Sequence, residues 1–293
     1  MYDFGGFGDS TTAAFPGRVT LKSLLWDRLA DKHVSYRNYG FFVNGAPVSI
    51  DSSMPGLIGH TDLSYPGWDL AVQAQARVDE WLKEFGGFVV AGRMPSVQFV
   101  YLLYDHTDRT TPGSATPAAM VADNDLALGR LVEAVSHSRF WPNTVIFVTE
   151  DDAQDGPDHV DGHRSLAFAI SPYTQTGRVD STFYSTVSIL RSIELIAGVA
   201  PMTQFDALAT PMRAAFAPQA NLRSYRARTP AQSLTEVNAA DAPLAAASQK
   251  LDFSKPDSAK ASVLTQAIWQ SRRGRGSHPP GARSGVPARP DND

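Results

Sequence analysis

The chain contains no cysteine in 293 residues, which excludes disulfides, thiolate metal ligands and a cysteine nucleophile. It has no apolar run near the roughly 18 residues that would mark a membrane-spanning helix. Its start, Met1 to Arg18, has no basic segment followed by an apolar stretch, so the chain carries no recognisable signal peptide. Charge of one sign is also scarce. A net charge of −4 makes no general case for an anionic membrane surface or for nucleic acid, and no nucleic-acid partner is expected. What is present, 43% hydrophobic and 19% charged residues, is ordinary for a globular protein long enough to bury a sizeable core.

Residues 1–17 are rich in Gly, Ser and Thr and read as a loop. Leu21, Leu24, Leu25 and Leu29 then share one helical face, and the aromatic run Val34 to Val43 predicts a strand. Apolar positions from Leu70 to Phe85 suit an amphipathic helix that Gly86 and Gly87 would close. Val97 to Tyr104 predicts a second strand, and Thr116-Pro117 opens a helix that reaches Ser138. Strands follow at Thr144 to Thr149 and Leu166 to Ser171, then a helix from Thr186 to Ala197 stopped by Gly198. This alternation predicts an α/β fold with a mostly parallel sheet flanked by helices. Beyond Phe216 the pattern weakens, with one short helix at Val263 to Gln270. The last twenty residues have no apolar content for a core and are expected to be disordered.

The most informative stretch is Asn143 to Arg164. Its β-branched run looks like a buried central strand, and its carboxyl end turns abruptly to Glu150, Asp151, Asp152, Asp155, Asp158, His159, Asp161 and His163. Six acids and two imidazoles within fourteen residues repel one another unless a positive charge lies among them. A divalent metal ion answers that need, since carboxylate oxygen and neutral imidazole are its usual donors. An EF-hand loop does not fit, because Ala153 and Gly162 stand where ligands belong, and His159 to His163 lacks the Glu of a helical zinc-protease motif. The plain alternative is a solvated acidic loop.

The strand ending at Tyr104 also runs into potential chemistry, Asp105-His106-Thr107. Two strands that both end in Asp and His suggest one site fed by two loops. Imidazoles there could bind metal, hold a phosphate oxygen or pass a proton to a leaving group, which suits metal-assisted hydrolysis of a phosphate ester. The oxygen-rich loop suits calcium, magnesium or manganese, and the histidines admit zinc or iron.

The run from Thr116 to Tyr173 resembles the bacterial phosphoesterase family that joins phosphatidylcholine-type phospholipases C to acid phosphatases, within the alkaline phosphatase superfamily. The resemblance extends over roughly residues 17–216 and is most specific in Glu150 to Arg164. It implies an alkaline-phosphatase-like fold, a phosphate-ester substrate and a divalent metal ion. Asp151 and Asp152 match the family's metal-ligating acids, and Asp158, His159 and Val160 its Asp-His-Val motif. His106 would face the phosphate or leaving group, with Asp105 and His163 in support. Family members also carry an upstream metal-ligand pair and a Ser or Thr nucleophile, and residues 1–60 hold neither. The resemblance therefore implies an N-terminally truncated chain: a loop at 1–17, the carboxyl-terminal part of a phosphoesterase domain at 18–225, an extension at 226–273 and a tail at 274–293. Such a chain would be impaired alone, with an upstream polypeptide as a partner. The alternative is a non-catalytic remnant or binding module that keeps a partial metal site. Family habit implies a periplasmic or secreted location.

Overall fold

The computed structural model describes residues 24–45, 48–51, 54–150, 166–254 and 258–279. The helices among them are α1 (Leu25–Asp31), α2 (Ala74–Ala91), α3 (Pro117–Ser136), α4 (Thr186–Ala197), α5 (Gln204–Leu208), α6 (Ala245–Ser248) and α7 (Ala261–Arg273). The strands are β1 (Tyr36–Tyr39), β2 (Val43–Asn44), β3 (Ser49–Ile50), β4 (Val97–Val100), β5 (Ile146–Thr149) and β6 (Ala167–Ile170).

The fold is mixed helix and sheet, with β1 and β4 paired in parallel and in register from Tyr36↔Val97 to Tyr39↔Val100. Side chains alternate across a strand, and this pair buries both faces. Tyr36, Val97 and Phe99 pack with Leu25, Leu29, Leu57 and Val199 from α1, its neighbouring loop and the end of α4. Tyr39 and Val100 pack on the opposite side with Val78, Trp81 and Phe85 of α2 and Met120, Leu131 and Val135 of α3. Helices thus cover the pair on two sides, as its continuous apolar reading predicts.

Elsewhere the sheet departs from the expectation of mostly parallel strands. Among the described residues, β2–β3 and β5–β6 are both antiparallel, the latter running from Ile146↔Ile170 to Thr149↔Ala167. A parallel neighbour requires a crossover of a dozen or more residues, usually a helix, and the acidic sequence between β5 and β6 has no helical repeat to supply one. Nor is β5 the buried central strand it resembles, since three of its residues are half-buried and Thr149 is exposed. The run Val34 to Val43 breaks after Tyr39. Gly40 takes φ +94°, and a Cβ there would lie 2.9 Å from the Pro66 carbonyl and 3.0 Å from the Tyr65 ring.

Two helices are stitched together by polar side chains rather than by apolar contact alone. Asp123 of α3 is buried and accepts from the Ala74 and Gln75 amides at 2.8 and 3.3 Å, so it caps the N-terminus of α2. Burial pushes its carboxyl above the usual range, against the opposing effect of those bonds. Arg130 donates to Gln75 at 2.8 Å and to Asp79 at 2.5 Å further along the same pair. On the strand face that α2 covers, Arg37 forms a two-pronged pair with Glu84 of that helix at 3.0 and 2.6 Å, and the Tyr39 hydroxyl donates to the same carboxylate at 2.6 Å.

Candidate functional site

Ligands of open α/β sheets bind beyond the carboxyl ends of the strands, and β1 and β4 point theirs in one direction. Beyond Val100 the strand does not continue to Tyr104 as its apolar reading suggests. The chain turns instead into a short 3-10 segment, Tyr104–His106. Two bonds hold the approach: the buried Tyr65 hydroxyl donates to the Tyr101 carbonyl at 2.9 Å, and Asn124 reaches the Leu102 carbonyl at 3.4 Å. Tyr104 is buried, and burial raises its hydroxyl above the ordinary range. Asp105 and His106 are therefore delivered half-exposed at the rim of the parallel pair.

The residue after His106 is the unusual one. Thr107 is 2% exposed, yet its backbone adopts φ +62° and ψ 169°. A β-branched side chain disfavours that region, which costs on the order of 1–3 kcal/mol and persists only where the surroundings impose it. The same conformation turns the Thr107 carbonyl to His106 Nδ1 at 2.9 Å. A carbonyl can only accept, so Nδ1 carries the proton and Nε2 is the nitrogen that exchanges one.

An aromatic wall encloses the imidazole. Trp68 stands edge-on at 5.1 Å between ring centroids, and Phe253 edge-on at 6.1 Å. Trp68 in turn donates its indole N–H to the Phe253 carbonyl at 3.1 Å. Its loop is held from below by Arg77, a fully buried guanidinium of α2 that donates to the carbonyls of Pro66, Gly67 and Asp69 at 2.6, 3.0 and 2.9 Å. Burial lowers the pKa of that guanidinium. Three charge-assisted bonds to one turn are a strong reason for the turn to keep its shape.

Just past His106 in sequence, Asp108 and Arg109 form an ion pair at 3.1 Å, and the Arg109 guanidinium lies 5.1 Å from the centre of the Phe253 ring. Burial pushes the Asp108 carboxyl up, while the Arg109 and His106 charges pull it back. The loop thus presents an imidazole, two carboxyls and a guanidinium within five residues of sequence, backed by aromatic surface. Its chemistry can bind an anion and move a proton.

The sequence picks out Asp105 and His106, and both stand in this loop. It names Thr107 only as the third residue of their motif, and it does not pick out Trp68, Arg109 or Phe253. Trp68 belongs to a turn-rich stretch with no periodicity, Phe253 lies far along in a weakly patterned region, and a Thr offers no hint of positive φ. His60, by contrast, stacks on Tyr36 at 4.1 Å and belongs to the packing. The remaining candidates, Asp151, Asp152, His159 and His163, lie outside the described residues. β4, which leads to His106, and β5, which leads to the acidic sequence, belong to separate pairs.

Among the described residues, no three His, Asp or Glu side chains gather closely enough to hold a metal ion. The acidic sequence beyond Thr149 holds donor types that suit one: adjacent carboxylates offer hard oxygen ligands, and neutral imidazoles extend the choice to borderline ions. No helix of the described chain is long and apolar enough to cross a membrane.

No curated protein is similar enough to register as a match. The family model for phosphoesterases, however, matches residues 5–200, which takes in β1, β4, the His106 loop, the acidic stretch and α4. That span is more than half of the chain, and the chain belongs to the phosphoesterase family.

Proposed function

We propose that the chain hydrolyses phosphoric esters with the help of a divalent metal ion, in the manner of the phospholipase C and acid phosphatase branch of its family. The observation that carries this reading is the His106 loop, which lies at the carboxyl end of the parallel pair inside the family's span. Hydrolysis adds water across the P–O bond: the phosphoryl group gains a hydroxyl and the leaving alcohol gains a proton. His106 is suited to the second task. Its Nδ1–H is committed to the Thr107 carbonyl, which fixes the ring and directs proton exchange to Nε2. Trp68 and Phe253 keep the imidazole against apolar surface on two sides and limit its access to water. Asp105, its neighbour in the loop, supports the ring's charge when it is protonated.

Asp151 and Asp152 would hold the metal, with His159 and His163 nearby in sequence. Such an ion stabilises oxygen charge that develops on the phosphoryl group. A phosphate-ester substrate follows from family membership; its lipid, nucleotide or simple monoester nature does not.

The test is turnover of p-nitrophenyl phosphate by the purified chain, with and without chelator, beside His106→Ala and Asp151→Ala/Asp152→Ala. Because residues 1–60 hold no recognised nucleophile, the expected result is slow, metal-dependent release of nitrophenol that falls a further roughly 10²–10⁴-fold in His106→Ala and is abolished in the double variant. Stoichiometric metal without turnover would instead favour a binding module, and neither metal nor turnover would sink both readings.

A further inference from the structure

Residues 236–254 approach the His106 loop from far along the chain and bond to it at several places. The path begins on α3. The Tyr225 amide donates to Ser136 Oγ at 2.9 Å and the Ala227 amide to Glu133 at 3.0 Å, both at the carboxyl end of that helix. At its other end, Thr116 receives Glu236: the Thr116 amide donates to the Glu236 carbonyl at 2.9 Å, and Thr116 Oγ1 to its carboxylate at 2.9 Å. The segment therefore runs antiparallel along α3 and meets the loop where the helix begins.

Asn238 then inserts into the loop. It is 6% exposed, and its side-chain nitrogen, with two hydrogens to share, lies within hydrogen-bond reach of the carbonyls of Arg109, Ser114 and Ala115 at 3.2, 3.2 and 3.0 Å and of Ser114 Oγ at 3.1 Å. Its backbone adds bonds in both directions, Gly113 amide to Asn238 carbonyl at 2.9 Å and Asn238 amide to Ser114 carbonyl at 2.8 Å. Ser248, fully buried on α6, takes the Thr110 amide at 3.1 Å, while Thr110 Oγ1 donates to the Pro243 carbonyl at 2.7 Å. Phe253 finishes the path against His106 and Arg109.

We infer that residues 236–254 form a strap that positions His106, with Asn238 as its principal positioning residue and Ser248 as a second anchor. The backbone at Thr107 occupies a region its side chain disfavours, so the loop needs an external constraint on its far side. Asn238 supplies that constraint by tying Arg109 to Ser114 and Ala115, which closes the loop into a ring that only a side chain with two donor hydrogens can bridge. Asn238 and Ser248 do not touch the reacting atoms. They act through the loop, and this role for catalysis rests on the hydrolase reading of His106.

The test uses the full chain and two readouts. Amide hydrogen exchange is followed by peptide in wild type, Asn238→Ala, Asn238→Asp, Ser248→Ala and Ser248→Thr, alongside turnover of p-nitrophenyl phosphate. Peptides covering residues 105–115 should exchange at least about tenfold faster in Asn238→Ala, Asn238→Asp and Ser248→Ala. Peptides from α2 and α4 should keep their wild-type rates, and Ser248→Thr should restore protection. Turnover should fall about tenfold in kcat, with KM changed less than about twofold. Unchanged protection at 105–115 would overturn the strap, as would a loss spread evenly over α2 and α4. Faster local exchange with wild-type kcat would overturn the positioning role. If the wild type itself does not turn over substrate, the hydrolase reading fails, and the exchange pattern alone decides the strap.

Discussion

Glu194 is fully buried on α4 and shares a hydrogen bond with a second carboxyl group, Asp206 of α5. Burial and the neighbouring carboxyl push its pKa from 4.5 to about 7, and Arg191 at 3.2 Å only partly offsets them. Burial would raise Asp206 too, but bonds from Glu194, Thr203 and the Met202 amide hold it below its ordinary value. One proton therefore sits on Glu194 and points to the Asp206 carboxylate, while Asp206 also takes the Met202 and Thr203 amides at 2.5 and 2.8 Å. Between pH 4.5 and about 7 the folded chain keeps a proton on Glu194 that the unfolded chain has released. Stability from this group is present at low pH and is lost as pH rises through about 7. Glu194→Gln keeps the donor and removes the titration. Its melting temperature should rise relative to wild type by several degrees between pH 5 and pH 8, a difference on the order of 1–3 kcal/mol. An equal offset at both values would show that Glu194 does not change its proton in that range. No sequence pattern announces this pair, because it joins residues from two helices whose apolar periodicity says nothing of a buried acid.

At the scale of elements, α2 is the instructive case. A Gly-Gly pair commonly ends a helix, yet α2 passes through Gly86 and Gly87 and stops at Gly92, in the left-handed region at φ +68°. The reason lies in packing: Leu82 and Phe88 both bed against the main core, so a helix ending at Phe85 would leave Phe88 without its place. Both inner glycines are exposed, and a Cβ on either would meet nothing within 4 Å. Gly86→Ala and Gly87→Ala should each stabilise the chain by about 0.5–1 kcal/mol in urea unfolding, because Ala loses less freedom on entering a helix. Gly92→Ala should do the reverse, since its φ favours glycine and its Cβ would lie 2.9 Å from Arg139. If all three variants behave alike, the assigned end of α2 is wrong. Periodicity makes α1, α2, α3, α4 and α7 legible, though not the short α5 and α6, and the Thr116-Pro117 start of α3 is where its N-cap stands, with Thr116 Oγ1 accepting from Ala119 at 3.1 Å. Strand partnership was less so. The apolar run of β5 reads the same whether its neighbour is parallel or antiparallel, and only the connection discriminates.

For the molecule as a whole, the β1–β4 pair matters because two cores use it. Its alternating side chains supply Tyr36 and Phe99 to the cluster under α1 and α4, and Tyr39 and Val100 to the larger cluster under α2 and α3. The His106 loop leaves the same pair, so the candidate site inherits the stability of both. Sequence could nominate the loop because Asp-His after an apolar run is a local signal. It could not nominate Asn238 or Phe253, which reach the loop across more than a hundred residues of chain from a stretch dominated by Ala, Ser and Pro. Contacts of that separation leave no periodic trace. The shared strands lead to a definite expectation: neither cluster can melt alone, because losing either strips one face of the same two strands. Leu29→Ala in the first cluster should cost about 2–5 kcal/mol, and Val78→Ala in the second somewhat less. Both residues are fully buried. Each variant should shift the whole transition, with far-ultraviolet circular dichroism and tryptophan fluorescence moving together along one urea curve. Separate midpoints for the two probes in Leu29→Ala would mean that α1 and α4 unfold from the strands first, and that the site needs only the α2–α3 side to hold its shape.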